Sequence, residues 1–310
     1  MNIVFMGTPD FASGILEALR DGGYHIAGVV TQPDKPVGRK KEPVPSPVKK
    51  VALEIGCPIL QPVKVREAES VQAIRALEPD LIVVAAFGQI ISKEILDMPK
   101  FGCINVHASL LPAYRGAAPI QQAILDGREE SGVTIMKMSE GLDTGDMISK
   151  IVVPIEKKET GGSLFDKLAK AGAELLIKTI PTIVDGSAVY TPQPEASTTP
   201  YAAMLTKAMG KIDWNNTAEA IERQCRAMNP WPCTYTGLDG KNLKIWECHV
   251  EKADLEGEAG TILRQDRKGI YVQTGRGILC LDEVQMEGRK RMKTADFVRG
   301  YVLRHNKFDQ

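Results

Sequence analysis

Asp80-Leu81-Ile82-Val83-Val84-Ala85 is an apolar run with a single acid in front of it, and its reading decides the fold. Five apolar residues are a strand's length rather than a helix's, and the β-branched Ile82, Val83 and Val84 favour an extended chain. A strand that is apolar at every position must be covered on both faces, as interior strands of a parallel sheet are. Working outward, residues 2–6 and 26–31 read as earlier strands, 58–61 as a short one and 101–106 as a later one. Helices are expected over 10–20, where Phe11, Ile15, Leu16 and Leu19 recur at helical spacing, and over 46–56 and 66–77. Residues 33–47 hold five prolines and read as a loop. This alternation predicts an α/β domain on an open parallel sheet with helices on both faces.

Further along, a helix is expected over 117–126, strands over 132–137 and 146–155, and a long helix over 162–185. Residues 186–200 carry Pro192, Pro194, Pro200 and small polar residues, and read as a connection. A helix over 217–228 then leads into short alternating segments at 243–251, 259–264, 269–274 and 277–285. Turn residues such as Asp239-Gly240 punctuate them, which predicts a small β-barrel. The expected organisation is a first domain over 1–188, a linker over 189–206 and a second domain over 207–310.

The 310 residues are enough for two domains, and 43% hydrophobic with 25% charged residues is ordinary for a soluble globular protein. No apolar run reaches bilayer length, so no membrane partner is expected. Residues 1–7 read as a first strand rather than a signal peptide, and a cytoplasmic protein follows as the expectation. The six cysteines form no Cys-x-x-Cys pair and the four histidines are scattered, so no metal site is expected. Nothing in the chain demands more than a monomer. Net charge is zero, yet residues 35–50 carry six basic groups against Glu42, and residues 288–307 carry seven against Asp296. Two basic clusters on a neutral chain fit a polyanionic partner touched in two places, although either alone is an ordinary solvated face.

The densest chemistry is Asn105-Val106-His107-Ala108-Ser109-Leu110-Leu111-Pro112, which begins where the 101–106 strand ends. Ligands of open α/β sheets bind at that end of the strands. Residues two apart on a strand point to one side, so Asn105 and His107 face the same cleft. An amide donor can hold a developing oxyanion and an imidazole can take or relay a proton. The loop Gly141-Leu142-Asp143-Thr144-Gly145-Asp146 offers a carboxylate that could orient such an imidazole. Singly, each has a plain structural reading, His107 as a strand-end histidine and Asp143 as a turn cap; the case rests on their conjunction. The first strand–helix turn, Gly7-Thr8-Pro9-Asp10-Phe11-Ala12, has one glycine where a dinucleotide site wants three, so a nicotinamide or flavin is not expected. Phosphate-binding Gly-x-x-x-x-Gly-Lys-[Ser/Thr] and nucleophile-elbow Gly-x-Ser-x-Gly patterns are absent.

At 105–112 and 141–146 the chain resembles the folate-dependent formyltransferase family, whose signature is Asn-x-His, then Ser-Leu-Leu-Pro, then a downstream loop aspartate. The resemblance extends to Met6-Gly7-Thr8-Pro9-Asp10-Phe11, Thr31-Gln32-Pro33-Asp34, Tyr114-Arg115-Gly116-Ala117-Ala118-Pro119-Ile120, the segment 132–138, Ile212-Asp213-Trp214 and Asn229-Pro230-Trp231-Pro232. It implies a Rossmann-like catalytic domain followed by an oligonucleotide-binding (OB)-like β-barrel. The implied reaction is formyl transfer from 10-formyltetrahydrofolate to the free amino group of initiator methionyl-tRNA, with no metal. It also implies that Asn105, His107 and Asp143 are the catalytic trio. Ser109, Leu110, Leu111 and Pro112 fall on the family's folate-contact segment, and Phe87, Gly88 and Gly141 on its pterin pocket. Arg39, Lys40 and Lys41 fall on a basic loop that grips the tRNA acceptor end, and Lys207 and Lys211 could extend that track.

Rival readings remain within the same scaffold: transfer of a formyl group to another small amine, or hydrolysis of a formyl-folate. The basic loop and the Asn-Pro-Trp-Pro segment speak against them. A non-catalytic RNA-binding module is the alternative from another class, and the Asn105, His107 and Asp143 conjunction speaks against that.

Overall fold

All five residues from Leu81 to Ala85 are buried, as a strand covered on both faces requires. The computed structural model of the chain describes residues 1–37, 42–252, 257–301 and 306–308. The elements are, in order, β1 (Asn2–Gly7), α1 (Asp10–Asp21), β2 (His25–Val30), β3 (Lys35–Val37), β4 (Glu42–Val44), α2 (Pro47–Ile55), β5 (Ile59–Leu60), α3 (Ala68–Arg75), β6 (Leu81–Ala85), α4 (Lys93–Leu96), β7 (Cys103–His107), α5 (Pro119–Leu125), β8 (Glu130–Lys137), β9 (Met147–Pro154) and α6 (Gly161–Asp185). A short 3-10 turn (Lys207–Gly210), α7 (Ala218–Ala227), β10 (Thr234–Leu238), β11 (Lys241–Glu251), β12 (Ile262–Gln265), β13 (Ile270–Gln273), β14 (Ile278–Met286), β15 (Met292–Lys293) and α8 (Thr294–Gly300) follow. The chain forms two compact units, one of Met1–Pro119, Glu130–Pro154 and Phe165–Ala202, the other of Ile120–Glu129, Ile155–Leu164 and Ala203–Gln310.

In the first unit seven strands pair in the order β5-β2-β1-β6-β7-β8-β9. The expected parallel sheet spans β5 to β7; β8 and β9 run antiparallel at one edge. Their connection, 138–146, is too short to carry the crossover that a parallel pair needs. Alternate residues of β1 and β6 face opposite layers. Val4, Met6, Ile82 and Val84 pack with Val71 and Ile74 of α3 and with Ile95 and Leu96 of α4.

Local signals fix several helix and turn boundaries. Ser46 caps α2 by accepting from the Lys49 N–H, Pro47 opens the helix, and Gly56 ends it in the left-handed region at φ +75°. At Gly7 an added Cβ would lie 2.6 Å from Ala12 Cβ and 2.8 Å from the Ala85 carbonyl oxygen, so only glycine lets β1 lie this close to α1 and β6. The proline-rich stretch read as a loop contains the two-stranded ribbon β3–β4, in which Pro36 sits opposite Pro43. Two residues without an N–H can face each other there because a two-stranded ribbon is all edge. Residues 189–202, read from sequence as the start of a linker, lie in the first unit, where Thr191 and Met147 exchange both backbone hydrogen bonds at 2.8 and 2.9 Å.

The second unit holds an antiparallel sheet, β10-β11-β14-β13-β12, with β15 beside β14. Among the described residues this sheet is an open path rather than a closed barrel. Asp239 and Gly240, both at positive φ, make the tight turn between β10 and β11. Trp214, 1% exposed, centres the core, stacked on Phe308 at 5.3 Å and donating from its indole N–H to Thr236 Oγ1 at 3.0 Å.

Candidate active site

Asn105 and His107 stand two apart on β7, which pairs with β6 through Asn105↔Val84 and with β8 through Asn105↔Met136 and His107↔Thr134. No described residue hydrogen-bonds the Asn105 side-chain amide, so its donors are free for a ligand. His107 is buried at 6% exposure. Its Nε2 lies 3.0 Å from the Tyr114 carbonyl oxygen, which can only accept, so Nε2 carries the hydrogen. Its Nδ1 faces the carboxylate of Asp143 at 3.8 Å, an ion-pair distance too long for a hydrogen bond.

Asp143 lies on the loop that joins β8 to β9, at φ +52°. Its Oδ2 accepts from the Gly116 backbone N–H at 2.9 Å. The loop closes tightly: a Cβ on Gly145 would lie 1.8 Å from the Lys137 carbonyl oxygen, so position 145 admits only glycine. Gly141, on the same loop, is exposed.

The turn after β7 is held from within. Ser109 Oγ donates to the Ala113 carbonyl at 2.7 Å, and Thr134 Oγ1 donates to the Ser109 carbonyl at 2.7 Å while accepting from the Leu111 N–H at 3.1 Å. Lys150 Nζ donates to the Leu111 carbonyl, and partial burial pushes that ammonium's pKa down. Leu111 is fully buried against Met136 and Met147, so its side chain supports the turn; Leu110 is partly exposed. Phe87 is buried, and its carbonyl accepts from Thr8 Oγ1 and from Gln32 Nε2, each at 3.2 Å. Gly88 follows at φ +80°. Those bonds lace together the loops after β1, β2 and β6, where a crevice of an open α/β sheet forms.

Residues 1–180 match the formyl transferase family and residues 204–302 the formyl transferase C-terminal domain. A methionyl-tRNA formyltransferase of Agathobacter rectalis is 52% identical over 308 residues, covering 99% of each chain. The chain belongs to the methionyl-tRNA formyltransferase family. More distant solved structures share the fold. The sugar 3N-formyl transferase WlaRD, solved in the presence of dTDP and 5-N-formyl-THF, superposes with a TM-score of 0.67 at 20% identity, over 94% of this chain and 99% of that one. HypX from Aquifex aeolicus, in complex with tetrahydrofolic acid, superposes with a TM-score of 0.62 at 17% identity over 96% of this chain, which spans just under half (46%) of that chain's length.

For this formyltransferase, the structure brings Asn105, His107 and Asp143 together and supplies partners that sequence reasoning missed. The Tyr114 carbonyl is one; a main-chain acceptor leaves no mark in residue type. Arg115 and Gln193 are others, since Arg115 gives Nε and Nη2 to Gln193 Oε1 at 3.1 Å each. Of the basic residues singled out, Lys207 and Lys211 are exposed in the second unit, and Arg39, Lys40 and Lys41 lie outside the described residues. The 288–307 cluster is less free than its count implies. Arg291 grips Glu283 with two bonds at 2.7 and 2.8 Å, Lys293 reaches Glu247 and Glu283, and Lys307 reaches Glu258. Trp231 is 51% exposed. The structure also gathers His249, Cys280 and Asp282 within 4.8 Å. There His249 Nδ1 is already hydrogen-bonded to Asp282 at 2.8 Å, and burial pushes the Cys280 thiol up to about 12, so these residues are arranged as a hydrogen-bonded pair beside a protonated thiol.

Proposed function

We propose that this enzyme transfers the formyl group of 10-formyltetrahydrofolate to the free amino group of initiator methionyl-tRNA, giving N-formylmethionyl-tRNA and tetrahydrofolate. The observation that carries the reading is the juxtaposition of a free Asn105 amide, a His107 with its Nε2 engaged, and the Asp143 carboxylate beside Nδ1. Family membership over nearly the whole chain supports it.

The amine nitrogen attacks the formyl carbon, and the carbonyl π pair moves onto oxygen. The Asn105 amide donates to that oxyanion. The amine proton passes to His107 Nδ1, which in the neutral ring is the nitrogen without hydrogen because Nε2 donates to Tyr114. Asp143, 3.8 Å away, balances the positive charge that develops there. As the bond from carbon to the folate 10-nitrogen breaks, that nitrogen takes the proton and the oxyanion collapses to the new amide.

In this reading residues 1–188, with 189–202 packed in the same unit, serve catalysis, and 207–310 serve tRNA binding. The turn of Ser109, Leu110, Leu111 and Pro112, with Phe87, Gly88 and Gly141, borders the folate site, mainly through backbone. Arg39, Lys40, Lys41, Lys207 and Lys211 meet tRNA phosphates. The enzyme works as a monomer in the cytoplasm; no helix among the described residues is long and apolar enough to cross a membrane. The test is formylation of charged initiator tRNA from 10-formyltetrahydrofolate, with charged elongator methionine tRNA in parallel. Rapid formylation of the initiator alone is expected. Folate turnover without a tRNA product would move the acceptor to water or a small amine.

A further inference from the structure

Arg115 is a buried arginine, 8% exposed, and among the described residues it forms no ion pair. Its guanidinium donates Nε and Nη2 to Gln193 Oε1, Nη1 to the Glu195 carbonyl at 3.0 Å and Nη2 to the Pro194 carbonyl at 2.7 Å. Gln193 passes the order on. Its Nε2 donates to the Asp143 carbonyl at 2.9 Å and to the Gly145 carbonyl at 2.8 Å. The Asp143 carboxylate in turn accepts from Gly116, the residue after Arg115, which closes a ring. The orientation of the Gln193 amide is fixed by its surroundings: the side facing a guanidinium must accept and the side facing two carbonyls must donate.

The ring acts on a backbone that resists its shape. A non-glycine residue at φ +52° sits in the small left-handed region, costing about 1 kcal/mol or more unless its neighbours hold it. Gln193 grips the carbonyls of Asp143 and Gly145, and so fixes where the Asp143 carboxylate points.

We infer that Gln193 is a positioning residue, which holds the Asp143 carboxylate beside His107 Nδ1 without itself touching the reacting groups. The inference rests on the catalytic role proposed above for Asp143.

The discriminating variants are Gln193→Glu and Gln193→Ala. Gln193→Glu keeps an acceptor for Arg115, now charged, but turns an oxygen toward two carbonyls. If Gln193 only ties down Arg115, Gln193→Glu turns over like the wild type, and the inference is overturned. If it positions Asp143, kcat falls roughly 10- to 100-fold in both variants, at least as far in Gln193→Glu, while KM for folate and tRNA is unchanged. Gln193→Ala placed on Asp143→Asn should cost nothing further, since the positioned group is already gone; a full additive loss overturns the inference. Wild-type kcat in Asp143→Asn alone removes the reading of Asp143, and the inference with it. Should Gln193→Ala fail to fold, Gln193→Glu, which keeps the Arg115 bonds, carries the test.

Discussion

The Nε2 atom of His107 lies 3.0 Å from the main-chain carbonyl of Tyr114, seven residues along the chain. The neutral ring is therefore held as the Nε2–H tautomer, leaving Nδ1 for proton transfer. Nitrogen chemical shifts of ¹⁵N-labelled histidine should show that tautomer for His107 in the resting enzyme. A resting Nδ1–H ring would rule out proton uptake at that atom.

Asn105→Ala removes the free amide assigned to the oxyanion. Loss of one such donor costs roughly 10²–10³-fold in kcat, with folate KM little changed. Near-normal turnover would pass the oxyanion role to another donor.

Asp143→Asn removes charge while keeping an oxygen for the Gly116 N–H. The loop should stay in place, so kcat should fall by about 10²-fold while thermal stability holds. A matching drop in Tm would instead make Asp143 a structural residue of its loop.

Lys207→Ala combined with Lys211→Ala removes two exposed cations of the second unit. The KM for tRNA should rise, the slope of tRNA affinity against salt should shrink by about 2, and folate KM should stay. An unchanged salt slope would place the phosphates elsewhere.

Glu283 makes the pH prediction. The Arg291 guanidinium, with Lys293 beside it, holds this carboxyl at about 2, below its ordinary 4.5. A carboxylate depressed on folding stabilises the protein above its unfolded pKa and loses that contribution as pH falls through the folded one. Glu283→Gln should thus cost about 1–2 kcal/mol at neutral pH after solvent screening, and the gap to wild type should narrow between pH 4.5 and 2. Tm measured across that range checks it; a gap independent of pH would assign the loss to packing.

The sheet was legible because burial on both faces leaves a compositional mark, as in Leu81 to Ala85, and α2 because Ser46, Pro47 and Gly56 each have a local conformational reason. Asn105 and His107 were legible as a pair because strand periodicity ties them to one side. The antiparallel edge was not, since β8 and β9 have the residue types of the parallel strands and only the short loop between them sets their direction. Gln193 was hidden in a stretch whose prolines and small polar residues mimic a connection, and its partners are backbone carbonyls, which any residue provides. The charge cluster at 288–307 misled for a related reason. Glu247 and Glu258, which neutralise part of it, lie about 40 to 50 positions away and are counted elsewhere.

The stretch 191–202 also bears on how the enzyme is born. Gln193 holds the Asp143 loop, Ser197 Oγ donates to the Pro112 carbonyl at 2.7 Å, and Thr199 Oγ1 accepts from Tyr114 N–H at 2.7 Å. A ribosome that has released the first 188 residues has made Asn105, His107 and Asp143, but none of these three ties. A nascent chain interrupted there carries the groups proposed for catalysis in an unfinished arrangement. Competence would then arrive late in synthesis, as the next dozen or so residues emerge and close over a centre laid down long before.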